Sequence, residues 1–77
     1  MEAKTIEELL KIYDEVDSFS EGLARVCKGS QEFHIHPDGT PAYEQRFDRV
    51  GSFSGGRAWV WKGREKFYVR PDGIRVD

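Results

Sequence analysis

Apolar and polar residues alternate over 23–27 (LARVC) and again over 33–36 (FHIH). A period of two predicts half-buried strands. Between them, residues 28–32 (KGSQE) are short, polar and carry a glycine, the composition of a hairpin loop. The same succession returns downstream: a strand over 57–61, a loop over 62–66 and a strand over 67–70. Ahead of both, the period changes. Thr5-Ile6-Glu7-Glu8 is a capping box, and Leu9, Leu10 and Tyr13 follow at helical spacing, so a helix is predicted over about 6–14. Pro37-Asp38-Gly39 and Pro71-Asp72-Gly73 are turns with a mechanism. Proline pre-sets φ, aspartate bonds locally and glycine takes the left-handed conformation. Gly22 and Gly56 are expected at left-handed or closely packed positions before their strands.

The recurrence is a duplication. Shifted by 34 positions, the chain matches itself without a gap. Tyr13-Asp14-Glu15-Val16 falls on Phe47-Asp48-Arg49-Val50, and Ser18-Phe19-Ser20 on Ser52-Phe53-Ser54. Gly22, Ala24 and Val26 fall on Gly56, Ala58 and Val60. Lys28-Gly29 falls on Lys62-Gly63, Phe33 on Phe67, and the first Pro-Asp-Gly on the second. A match of that extent marks tandem structural units. Unit one spans 13–39 and unit two 47–73. Residues 41–47, where Tyr43 matches Leu9, are read either as a shorter helical turn or as a connecting loop.

These residues resemble the WG-repeat family of bacterial proteins. That pattern runs aromatic-Asp-x-Val, then Phe-Ser-Glu-Gly-Leu-Ala-x-Val, then a glycine turn, then an aromatic-rich strand ending in Asp-x-x-Gly or Pro-Asp-Gly. The Trp-Gly pair that names the family is replaced by EFHI and KFYV. The resemblance implies β-rich tandem units and is tied to no single catalytic activity.

The two copies also sort residues by face, since strand neighbours point to opposite sides. Ala24, Val26, Phe33 and Ile35 recur as Ala58, Val60, Phe67 and Val69 and are assigned to the interior. Phe19, Phe53, Val16, Val50, Leu9, Leu10 and Tyr13 are assigned there too. The opposite face differs: Arg25, Cys27, His34 and His36 in unit one, Trp59, Trp61, Tyr68 and Arg70 in unit two. Positions released from the shared packing demand are where a specific surface can be built.

Length and charge narrow the class. Seventy-seven residues allow one domain with a modest core. The net charge is −2 with no visible basic stripe, which argues against nucleic-acid binding through phosphates. No apolar run is long enough to span a bilayer and the N-terminus lacks a signal-peptide pattern, so no membrane role and a cytoplasmic location are expected. The lone Cys27 has no internal disulfide partner, which fits a reducing compartment.

The fold expected is α+β and mostly β: an N-terminal helix, then two β-hairpin units side by side in one largely antiparallel sheet over 1–77. Two units are few for a repeat array, so the helix caps the sheet or two chains pair. Trp59, Trp61 and Tyr68, with Arg70 beside them, form the candidate binding strip, since large aromatics are enriched at interfaces. The competing reading has them covering the sheet as ordinary core. Cys27, His34 and His36 are donor types a Zn²⁺ ion takes. They lack an evident fourth ligand and are read as a small thiol and two exposed histidines. No metal, no cofactor and no enzymatic activity are expected, because the duplicated aspartates and serines suit turns and caps. The function expected is a non-catalytic repeat module that binds a protein partner or a second copy through the aromatic strip. The alternatives are a carbohydrate-type ligand on the same strip, or a purely structural piece of a longer repeat protein.

Overall fold

In the computed structural model, which describes residues 3–76, the capping box starts the chain's helix, α1 (Ile6–Leu10). The Thr5 hydroxyl accepts from the Glu8 N–H at 3.2 Å, and the Glu8 carboxylate accepts from the Thr5 N–H at 2.9 Å. The helix stops at Leu10, four residues before the expected end. Tyr13 and Asp14 lie between the helix and the first strand and are tied to distant residues instead. Asp14 N–H donates to the Cys27 carbonyl at 2.8 Å, and the Tyr13 hydroxyl donates to the Gly39 carbonyl at 2.8 Å. Those long-range bonds pull the chain out of helical geometry one turn early.

Among the described residues seven strands follow: β1 (Glu15–Ser20), β2 (Leu23–Lys28), β3 (Gln31–Ile35), β4 (Arg49–Val50), β5 (Ala58–Lys62), β6 (Glu65–Val69) and β7 (Arg75–Val76). The expectation of one sheet is corrected. The described residues form two antiparallel sheets, ordered β1-β2-β3 and β4-β5-β6-β7. Beside the side-chain contacts between them, a backbone bridge links the two units, in which Glu32 and Phe47 exchange bonds of 2.8 and 3.1 Å. Residues 36–46, which contain Pro37 and Pro41, interrupt any longer ladder. Residues 41–47 form no helix. They are the connecting segment, and Tyr43 sits over the Gly73 turn as Leu9 sits over the Gly39 turn.

Within each sheet the pairing is shared. Val16 faces Val26 as Val50 faces Val60; Ala24 faces Ile35 as Ala58 faces Val69; Val26 faces Phe33 as Val60 faces Phe67. The turns agree as well. Asp14 accepts from the Gly29 N–H and Asp48 from the Gly63 N–H, both at 2.7 Å. Gly39 and Gly73 adopt φ of 90° and 83°, the region where a side chain is strained.

The core holds Leu9, Tyr13, Ala24, Val26, Phe33, Ile35, Val50, Phe53, Ala58, Val60 and Val69, as the face assignment predicts. Phe67 and Val16 are half-buried against it. Two assignments are corrected: Leu10 and Phe19 are exposed. Leu10 falls off the buried face of a helix too short to wrap the core. Phe19 lacks the layer that covers its counterpart. Phe53 is buried because unit one lies against it; nothing among the described residues covers Phe19 in the same way. Four further residues join the core: Leu23, Tyr43, Phe47 and His34.

Candidate functional site

Alternation along β5 puts Trp59 and Trp61 on one face, and the β5–β6 register sets Trp59 opposite Tyr68 and Trp61 opposite Lys66. Three residues of the predicted strip therefore do lie together. Their exposure is graded: Trp61 is exposed, while Trp59 and Tyr68 are half-buried. Arg70 leaves the group. β6 ends at Val69, and the exposed Arg70 guanidinium pairs with Asp72 in the following turn. The cations beside the rings are different ones. The Arg57 guanidinium carbon lies 4.4 Å from the Tyr68 ring centroid, and the Lys66 ammonium 5.7 Å from that of Trp59. The alternation that groups Trp59 with Trp61 also groups Arg57 with them, so spacing alone carries a signal for this part of the site.

Trp59 is held by an approach that only glycine allows. A Cβ on Gly51 would stand 2.1 Å from the indole Nε1. In unit one the matching positions are Asp17 and Arg25, and they form an ion pair at 3.2 Å. Arg25 also reaches Glu32 at 3.2 Å and Glu15 at 3.5 Å. An ion pair in one copy thus stands where the other copy lays an indole on a glycine. Gly51→Ala is expected to lift the indole off the backbone, destabilising the fold by about 1–3 kcal/mol. Urea unfolding and a red-shifted tryptophan emission are the readouts.

Trp59 also walls a groove of about 570 Å³ between the two units, with Arg25, Cys27, Glu32, Asp48 and Arg49 among its lining residues. Glu32 accepts from the Val50 N–H at 2.9 Å as well as pairing with Arg25. Burial, then the Glu32, Glu15 and Asp14 carboxylates, push the Cys27 thiol above its ordinary range, which disfavours thiolate.

His34 is the largest departure from expectation. It is fully buried, not exposed. Its Nε2 lies 2.7 Å from the Gly51 carbonyl and its Nδ1 2.6 Å from the Tyr43 hydroxyl. A carbonyl only accepts, so Nε2 carries the proton and Nδ1 receives the tyrosine O–H. Both bonds cross from unit one to residues that lead into or belong to unit two. The Phe53 ring closes the site at a centroid distance of 4.5 Å. With both ring nitrogens engaged, His34 has no free donor for an ion. His36 is exposed, with its backbone tied into the Asp38 turn. Among the described residues no group of three or more His, Cys, Asp or Glu is placed to hold a metal ion, and no helix is long and apolar enough to cross a membrane. The roles of Tyr43 and Gly51 have no local signal, since both depend on the meeting of the two units.

The sequence model of a family described as WG containing repeat matches residues 7–31 and residues 35–63, two consecutive repeats. No curated protein and no solved structure matches.

Proposed function

The chain belongs to the WG containing repeat family, and from that premise we propose that it is a non-catalytic interaction module that docks a protein through the end of unit two carrying Trp59, Trp61 and Tyr68. The observation that carries this reading is the unequal burial of matched positions. His34 in unit one is covered by Phe53, whereas Tyr68 at the same place in unit two is half-exposed beside an exposed Trp61. Large aromatics flanked by Arg57 and Lys66 are the composition of interface hot spots. A non-catalytic role is supported by what the polar groups do. Asp14, Asp48, Asp38 and Asp72 accept turn N–H groups, and the Ser20 hydroxyl donates to the Phe53 carbonyl at 2.7 Å.

The test compares binding partners retained by the wild-type chain with those retained by Trp61→Ala and by Leu10→Ala, an exposed residue on α1. Trp61→Ala is expected to change stability by less than about 1 kcal/mol, as exposed positions do. It is expected to weaken a direct partner by tenfold or more, about 1.4 kcal/mol, with Leu10→Ala leaving binding unchanged. A partner held equally by all three, or soluble glycans that bind and are lost with Trp61→Ala, would overturn the reading.

A further inference from the structure

The internal boundary of the molecule shows what fits such an end, because unit one already has its matching surface covered. There, β3 exposes the backbone of Glu32 to its outer side. Glu32 exchanges bonds with Phe47, the aromatic that opens unit two, and six residues later Phe53 lies on His34. In unit two nothing among the described residues fills the same slot. Asp48 N–H bonds to the Trp61 carbonyl, so the Trp61–Lys66 pair is of the non-hydrogen-bonded kind and the Lys66 N–H and C=O point away from β5. Among the described residues β7 pairs only with Tyr68 and Val69, which leaves Lys66 unmatched on that side. At the other end of the molecule lies the counterpart of what covers Glu32 and His34. Phe19 on β1 matches Phe53 and is 38% exposed.

Charge agrees with joining these ends. Residues 1–40 carry nine acidic and four basic side chains; residues 41–77 carry five acidic and eight basic. The internal boundary sets Glu32 and Arg49 in one groove. Their counterparts in a contact between copies are Lys66 and Glu15, so both signs are reversed and the complementarity is kept. Lysine on a free strand edge opposes pairing with an identical edge, which disfavours a two-fold contact through β6.

Resting on the docking function above, we propose that the occupant is a second copy of this chain: its acidic leading edge, residues 13–19, seats on Lys66 and Tyr68, and copies join head to tail as unit two joins unit one. The contact reproduces the strand-edge part of the internal boundary. The Tyr13 N–H is already bonded to the Leu9 carbonyl at 2.9 Å, so its carbonyl is the group that meets the Lys66 N–H. Such a contact is heterologous and open-ended, and it adds copies as concentration rises.

The experiment is sedimentation velocity on the full chain from about 10 µM to 1 mM, at low and at high salt. The wild type is expected to grow beyond a dimer, with association weakened several-fold by salt. Phe19→Lys alone and Tyr68→Lys alone should each be monomeric. Mixed one to one, they should form a dimer and stop there, because one variant keeps an intact tail and the other an intact head. Circular dichroism on each variant checks that the fold is kept. A wild type that stays monomeric to 1 mM overturns head-to-tail joining while leaving docking of another protein at this end to its own test. Association lost with Tyr68→Lys but not with Phe19→Lys, or variants that fail to complement, likewise overturns it and keeps the aromatic end as the contact. Association untouched by Tyr68→Lys overturns both.

Discussion

Phe53→Ala is expected to lower the unfolding free energy by about 3–5 kcal/mol, the range for deleting a buried aromatic ring. Phe19→Ala, the same substitution at the matching position of the other copy, should change it by less than about 1 kcal/mol. Phe53 is 1% exposed, packs its ring on His34 and holds the Ser20 hydroxyl on its carbonyl. Phe19 is largely without that surround. Domains of this size have little stability in reserve, so a loss at the upper end of that range leaves a large unfolded fraction before any urea is added. Urea denaturation followed by tryptophan emission compares the two. Equal effects would mean that the units do not pack through the Phe53–His34 contact.

Acid should weaken the same boundary. Burial lowers the pKa of His34 from its ordinary value, the Gly51 carbonyl pulling it partly back up, with smaller opposing effects of Arg25 and Glu32. The unfolded chain takes up its proton as pH falls through about 6.5, while the folded chain resists, so protons bind the unfolded state preferentially. The contribution is complete above that pH and is lost as pH falls through the lower folded value. Stability should therefore decline between pH 7 and pH 5, before most carboxylates titrate. His34→Phe should remove that part of the slope. It should also destabilise by about 2 kcal/mol or more at pH 7, since the Gly51 carbonyl and the Tyr43 hydroxyl are left buried without partners. Burial raises the Tyr43 phenol far above its usual range, so it stays a donor throughout. Urea midpoints at pH 7, 6 and 5 for both chains check this. A wild-type slope that survives in His34→Phe would overturn the assignment.

How far these sites are legible in the sequence follows the reach of the interactions. The capping box, the two Pro-Asp-Gly turns and the alternation of β2, β3, β5 and β6 are local, and each stands in the sequence. So does the face that gathers Arg57, Trp59 and Trp61. Arg70 escapes the strip because a strand's end is set by the Pro71 turn beyond it. His34 is buried against expectation because alternation assigns a face and does not say what covers that face. His34 and Tyr68 are equivalent in pattern, yet one is enclosed and the other half-open.

The duplicated sequence by itself determined the tandem units, their matching strand registers and the shared apolar face, since each arises from side-chain period and turn chemistry within about thirty residues. Only the tertiary structure decided that the copies form two sheets joined at Glu32 and Phe47, that His34 is sealed beneath Phe53, and that Trp59 rests on Gly51. Those outcomes depend on one unit excluding water from another. Matched positions in a repeat meet different fates there, because the boundary between the two units covers one face of each and leaves the counterpart face to other surroundings.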